Sequence, residues 1–257
     1  MYKVILAASF FLLVLAAQAQ QIDCDPNPDE RERVLDNEGA NRYICYLQTN
    51  RPGSNANSTG FLIHPRVVLT AGHNLAYYPN NGPVETVTAY FGITEEGEYL
   101  AKAEVELRKG KNKFHKPGYW RKHVIKRDFA IFILPDSSVY QKLEGHFKIT
   151  PLSRDRKPSK TIHLTGSPGD KDKFEIWTED TDNYAFRKDY VRYDLFTQKR
   201  NSGSPVWFET EDGYQVLGIH SRKFTNRSGR VCSGAVMIDE ATYEQIKKWC
   251  KKAGIRL

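Results

Sequence analysis

Three short segments carry residues able to make and break an acyl bond. They are Thr70-Ala71-Gly72-His73, Asp128-Phe129-Ala130-Ile131 and Thr197-Gln198-Lys199-Arg200-Asn201-Ser202-Gly203-Ser204-Pro205-Val206-Trp207. A serine hydroxyl is a poor nucleophile until a base takes its proton, and a histidine acting as that base needs an acid to hold its tautomer. Ser202, in a tight Asn-Ser-Gly-Ser-Pro turn, is the candidate nucleophile, with His73 as base and Asp128 as the orienting acid. Asp128 enters the apolar run Phe129–Leu134, where a carboxylate loses hydration and needs donors such as a histidine N–H. Asp170 and Asp194 are weaker rivals because neither leads into a long apolar strand. The bland readings are a structural histidine at a strand end and a turn aspartate.

Residues so far apart in sequence need a scaffold to bring them together. From Tyr43 onward, short apolar runs alternate with Gly, Pro, Asn and Asp clusters: Tyr43–Gln48, Gly60–Ile63, Val67–Ala71, Val84–Tyr90, Tyr99–Leu107, Ala130–Leu134, Thr161–Leu164, Tyr190–Leu195, Pro205–Phe208, Tyr214–His220 and Gly234–Ile238. Many short strands at such spacing predict an all-β sandwich or barrel architecture. Only the tail reads as a helix, over about 240–252. Tyr243, Ile246, Trp249 and Cys250 share a face, Asp239 can cap the start, and Gly254 follows lysines at the end. The strand pattern breaks near 140–155, so a domain over 34–257 divides into a first lobe at about 34–140 and a second at about 155–238. His73 and Asp128 then fall in the first lobe and Ser202 in the second, with the site at their interface.

The ends and the composition set the compartment. Residues 1–19 read as a secretory signal, with Lys3, an apolar run from Val4 to Ala17, and a small-x-small cleavage site ending at Ala19. That run is short for a membrane span and no later stretch approaches about 20 apolar residues, so an exported protein with no membrane partner is expected. Residues 20–33 are polar, hold Pro26 and Pro28, and read as a propeptide or N-terminal arm. Cys24, Cys45, Cys232 and Cys250 form an even set in an oxidising compartment, which predicts two disulfides in one of three pairings. There is no CxxC or HxxxH pair, so neither a metal nor a cofactor is expected. The net charge of +7 attracts acidic substrates and polyanionic surfaces.

The order His, Asp, Ser matches chymotrypsin-type proteases, whereas α/β-hydrolases run Ser, Asp, His. Thr59-Gly60-Phe61-Leu62-Ile63-His64-Pro65-Arg66-Val67-Val68-Leu69-Thr70-Ala71-Gly72-His73 resembles the histidine signature of the bacterial glutamyl endopeptidases, a branch of the trypsin-like serine proteases. His64 stands where that signature usually has Gly or Asn. Arg127–Leu134 resembles the aspartate segment. Thr165-Gly166-Ser167-Pro168-Gly169-Asp170-Lys171 resembles the family's Gly-Tyr-Pro-Gly-Asp-Lys turn, with Ser167 for Tyr. Tyr193-Asp194-Leu195, Gly218-Ile219-His220 and Ser233-Gly234-Ala235-Val236 follow in the family's order, and the resemblance runs from about Val34 to Lys252. It implies two antiparallel six-stranded β-barrels with a C-terminal helix, and a serine endopeptidase acting on protein or peptide substrates as a monomer.

The resemblance also implies a specificity. Trypsin holds Lys or Arg with an acid six positions before the nucleophile; here that position is Phe196. Glutamyl endopeptidases use a Thr five before the serine and a His on the following strand, and Thr197 and His220 stand there. Both can donate hydrogen bonds to a substrate carboxylate. Ser221-Arg222-Lys223 would supply a backbone edge for the peptide. The family's mature chains begin Val-Ile, their free amine meeting the substrate acid, so Arg33-Val34-Leu35 implies a zymogen cut between Arg33 and Val34.

One position departs from the pattern. The residue two before the serine is normally Gly, whose N–H joins that of the serine in the oxyanion hole; here it is Arg200, beside Ser202. A β-carbon penalises conformations open to Gly. The competing function is therefore a protease-like binding or regulatory protein with impaired catalysis; a lipase or esterase on another fold is disfavoured by the residue order. Arg108, Lys109, Lys111, Lys113, Lys116, Arg121, Lys122, Lys126 and Arg127 form a basic run, a solvated loop or a polyanion contact, with nucleic acid not expected for an exported chain. Asn57 and Asn226 head glycosylation sequons.

Overall fold

A computed structural model describes residue 24 and residues 29–76, 82–108, 113–117, 125–153, 158, 160–188, 190–225 and 229–257. A two-residue strand, β1 (Glu32–Arg33), comes first. Then follow β2 (Ile44–Arg51), β3 (Ser54–His64), β4 (Val67–Thr70), β5 (Thr86–Ile93), β6 (Tyr99–Glu106), β7 (Phe114–His115) and β8 (Ala130–Ile133). β2 to β8 make one antiparallel sheet in the order β6-β5-β2-β3-β4-β8-β7. After a short helix, α1 (Ser138–Leu143), come β9 (Ile162–Gly166), β10 (Trp177–Thr181), β11 (Tyr184–Phe186), β12 (Tyr190–Tyr193), β13 (Pro205–Thr210), β14 (Gly213–Thr225) and β15 (Val231–Met237). With β1 they form the second antiparallel sheet, ordered β1-β10-β9-β13-β14-β15-β12-β11. Helix α2 (Glu240–Lys252) closes the chain.

The all-β expectation and the terminal helix agree with this architecture; the details correct it. Among the described residues the sheets hold seven and eight strands rather than six each. The surplus comes from edge strands of two or three residues, β1, β7 and β11, which are too short to show an alternation. Helix α1 also escaped notice, because six residues give less than two turns of periodicity. The β2–β3 hairpin runs further than its apolar stretch. Polar residues from Gln48 to Thr59 continue the ladder to Arg51↔Ser54 around Pro52-Gly53.

Each sheet buries its own apolar cluster, and a third cluster joins them. That central cluster takes Ile44, Tyr46, Phe61 and Leu69 from the first sheet, and Trp207, Ile219 and Val236 from the second. Helix α2 docks onto it. Asp239 caps the helix by accepting the Thr242 N–H at 2.9 Å, and buried Trp249 packs on Phe129 with ring centroids 5.2 Å apart. The helix thereby braces the residue that follows Asp128.

Candidate active site

His73 lies in a single 3-10 turn, Gly72–Asn74, directly after β4. Gly72 allows close approach here: a β-carbon would sit 3.0 Å from the Phe129 nitrogen. Asp128 can then reach the turn. Its Oδ1 accepts the His73 backbone N–H at 2.8 Å, and its Oδ2 lies 2.8 Å from His73 Nδ1. Ser221 Oγ donates to the same Oδ2. Asp128 is 1 % exposed. Burial raises its pKa, but the donors from His73 and Ser221 outweigh it and hold the group at about 2. Asp170 and Asp194 do not contact His73. The first pairs with Arg31 at 2.6 Å, and the second accepts from Asn183 Nδ2 at 2.6 Å.

Ser202 sits between the sheets. Its carbonyl accepts from Thr59 N at 3.1 Å and Asn74 Nδ2 at 2.9 Å, while Gly203 N donates to the His220 carbonyl at 2.8 Å. Gly203 has φ 90°, and a β-carbon there would lie 2.1 Å from the Thr59 carbonyl oxygen. No hydrogen bond joins Ser202 Oγ to His73 among the described residues, although both line one cavity. Such contacts are often long before substrate closes them. Upstream, Asn201 N donates to the Gln198 carbonyl at 3.2 Å, and Gln198 N to Asn201 Oδ1 at 2.9 Å. Arg200 occupies the third position of this turn with φ 72°, as a type II turn requires and Gly prefers. Its guanidinium turns toward the 168–172 segment, with Nε donating to the Pro168 carbonyl at 3.1 Å and Nη2 to the carbonyls of Pro168 and Lys171. The side chain thus anchors the strained backbone, whose left-handed conformation costs about 1–2 kcal/mol. Neither the Arg200 nor the Ser202 N–H donates to any described residue.

A second polar cluster lies behind the nucleophile loop. His220 is 2 % exposed and its Nδ1 lies 2.6 Å from the Tyr193 hydroxyl. Burial, with the charges of His73 and Lys223, lowers the His220 pKa to about 3, while burial raises that of Tyr193 well above its usual value. Buried Thr197 Oγ1 lies 2.9 Å from Ser233 Oγ, which donates to the Leu195 carbonyl at 3.0 Å. Since Ser233 spends its one proton on that carbonyl, Thr197 donates to Ser233. Phe196 is flanked by Arg31 and Lys223, 4.7 and 4.9 Å from its ring centroid. Its N–H goes to Glu179 Oε2 at 2.8 Å. Pairing of β14 with β13 ends at Ile219, and a bulge at Ser221 interrupts pairing with β15. From Ser221 onward, the edge that β13 had occupied carries no described strand.

No family model matches the chain. Glutamyl endopeptidases of Staphylococcus aureus strains MRSA252 and MW2 are each 24% identical to it, over 229 and 243 residues that cover 87% of this chain. The matches take in 57% and 63% of those proteins, so the chain spans about three fifths of the curated relatives it matches. Among solved structures, a Glu endopeptidase in complex with MPD superposes with a TM-score of 0.69 at 22% identity, covering 86% of this chain and 96% of that one. The protease Anisep from Arthrobacter nicotinovorans does so with 0.64 at 12% identity, covering 84% and 99%. The fold is that of the trypsin-like serine proteases.

Within that fold, several expectations need amendment. There is one described disulfide, Cys24–Cys232, not two. Cys45 and Cys250 are free and buried in different clusters, so their packing keeps them apart. Residues 29–33, within the stretch read as a propeptide or N-terminal arm, are docked on the second sheet. β1 pairs with β10, Arg31 is held by Asp29 and Asp170, and Val34 N donates to the Ile176 carbonyl at 2.9 Å. Any cut between Arg33 and Val34 requires this segment to unpair first. Ser221 gives its hydroxyl to Asp128. Asn57 lies half-buried in β3, not in a loop, and borders the cavity of Ser202. Ala19, Asn226 and much of the basic run at 108–127 lie outside the described residues. The sequence reading missed Tyr193, Ser233 and Glu179 as neighbours of the site, for no local motif marks a residue that acts through its partner.

Proposed function

We propose that this chain is an exported serine endopeptidase that uses Ser202, His73 and Asp128 and cuts after acidic residues, Glu above all. The observation that carries this reading is the Asp128 carboxylate, buried and ionised, held between His73 and Ser221 beside the cavity of Ser202. Asp128 fixes the proton of His73 on Nδ1, leaving Nε2 to take the Ser202 proton as Oγ attacks the peptide carbonyl. The oxyanion that forms takes the free N–H groups of Arg200 and Ser202. Collapse breaks the C–N bond, His73 gives its proton to the departing amine, and water, activated by His73 in turn, hydrolyses the acyl-enzyme.

The acid preference rests on the second polar cluster. A protonated Tyr193 donates to His220 Nδ1, which places the ring proton on Nε2, aimed away from Tyr193 and available to a carboxylate. Thr197 redirects its hydroxyl from Ser233 to the same ligand, and Arg31 and Lys223 on Phe196 add positive potential. Arg200 supports catalysis, since it holds the conformation a glycine would take. Labelling by a fluorophosphonate probe, and cleavage of a mixed peptide library beside a Ser202→Ala control, test the reading. Serine-dependent cuts after Glu are expected. Cuts after other residues would discard the Thr197–His220 pocket, and the absence of both labelling and cuts would discard the enzyme.

A further inference from the structure

The segment 168–172 is held by two sets of contacts, one from the nucleophile loop and one from the arm. From the loop, Arg200 Nε donates to the Pro168 carbonyl at 3.1 Å, and Nη2 donates to the carbonyls of Pro168 and Lys171. Gly169 approaches the same turn so closely that a β-carbon there would sit 2.8 Å from the Lys199 carbonyl oxygen. Thr59 Oγ1 ties the base of the segment to the turn as well. It accepts the Ser167 N–H and donates to the Arg200 carbonyl, both at 3.0 Å.

The second set comes from buried Arg31 and its neighbours. Arg31 grips Asp170 through two bonds, Nη1 to Oδ1 at 3.0 Å and Nη2 to Oδ2 at 2.6 Å, while its Nε donates to Asp29 at 2.7 Å. A bidentate pair of this kind fixes geometry as well as charge. The same guanidinium covers the ring of Phe196, six residues before Ser202. Arg33 pairs with Glu175 at 3.2 Å and stands opposite Trp177 in the β1–β10 ladder, and the Lys171 ammonium lies 4.0 Å from the Trp177 ring centroid. Upstream, Cys24 fastens the chain to β15 through Cys232. None of the described residues lining the cavity of Ser202 comes from 29–34.

A residue other than Gly at φ 72° persists only where its surroundings over-determine it. Arg200 finds its anchor in the carbonyls of 168–172, and that segment finds its own in Arg31. We infer that the arm at 29–34 is a working part of the enzyme while still joined to it, and that Arg31 is a positioning residue for the oxyanion turn. The inference rests on the reading of Ser202 as the attacking residue. It reverses the sense of the expected zymogen, since breaking the Arg33–Val34 bond then removes support instead of releasing activity.

Two measurements test it. The purified full chain is reacted with a fluorophosphonate probe, reduced and weighed by mass spectrometry. The label should sit on a chain continuous through Arg33–Val34. Label confined to chains that begin at Val34 overturns the inference and leaves the Ser202 reading standing, and no label on any form overturns both. The second measurement is a double-variant cycle followed in kcat and KM on one peptide substrate. Arg31→Ala should lower kcat about tenfold and leave KM within about threefold, with Arg31→Lys falling between it and the parent. In the Arg200→Gly background, whose turn needs no anchor, the same Arg31→Ala change should cost less than about twofold. Equal losses in the two backgrounds would make Arg31 a general stabiliser, and a gain in kcat would make the arm an inhibitor; either overturns the inference. Asp170→Asn, carried through the same cycle, gives the answer if Arg31→Ala does not fold.

Discussion

Two histidines stand on either side of the nucleophile loop, and their partners set them different work. His73 faces a carboxylate that is ionised throughout the ordinary pH range, so an imidazolium formed there meets a compensating charge. His220 faces a phenol in a buried pocket, where burial drives its pKa to about 3 and keeps the ring neutral. Under the proposed mechanism, one site accepts a proton during the reaction and the other offers one to a ligand. The residue type is the same, and the second partner decides which role it plays.

The contrast can be broken at several points. Ser202→Ala should lower kcat/KM about 10⁶-fold, the scale seen when a triad nucleophile is lost. Asp128→Asn should lower kcat about 10⁴-fold with little change in KM, because the amide stabilises the wrong tautomer. At the other histidine, Tyr193→Phe should leave turnover on a good substrate within a few-fold while reducing the Glu-over-Gln preference about tenfold, roughly one charge-assisted hydrogen bond. Equal losses on Glu and Gln substrates would show that Tyr193 only supports packing.

Two smaller effects sharpen the picture. Arg200→Ala keeps the β-carbon at φ 72° and loses the anchor, so its kcat should fall several-fold below that of Arg200→Gly, which loses both strain and anchor. The reverse order would mean that a β-carbon does not strain this turn. Glu179 is the second buried acid of the site. Unlike Asp128 it has too few donors to offset burial, and its pKa rises from 4.5 to about 7. A folded-state pKa above the unfolded one means that the folded form holds the extra proton. This contribution is therefore full below pH 4.5 and is lost as pH rises through about 7. Glu179→Gln should flatten that decline, worth on the order of 1–2 kcal/mol, in thermal melts across the window.

What could be read from the chain follows the same division. Strands with one apolar face, the capped tail helix and the three triad segments announce themselves through periodicity or through chemistry at one position. The polar half of the β2–β3 hairpin did not, because Thr49, Asn57 and Ser58 line a cleft rather than a core and carry no hydrophobic alternation. Nor did the docking of the arm at 29–33, which comes from Arg31 bridging Asp29 and Asp170, the latter 139 residues away. Arg200 was legible as an anomaly but not as a solution. Its φ and its carbonyl partners belong to the folded turn, which no local pattern reveals.

The Cys24–Cys232 bond joins residues 208 positions apart, so nearly the whole described scaffold lies within one covalent ring. A chain closed in this way cannot explore a fully open denatured state, and loop-closure entropy puts the effect at up to about 5 kcal/mol. The same sequence would then be two materials: a loosely held thread where thiols stay reduced, and a durable fold once the ring has closed. Durability on that scale would be gained only in an oxidising space.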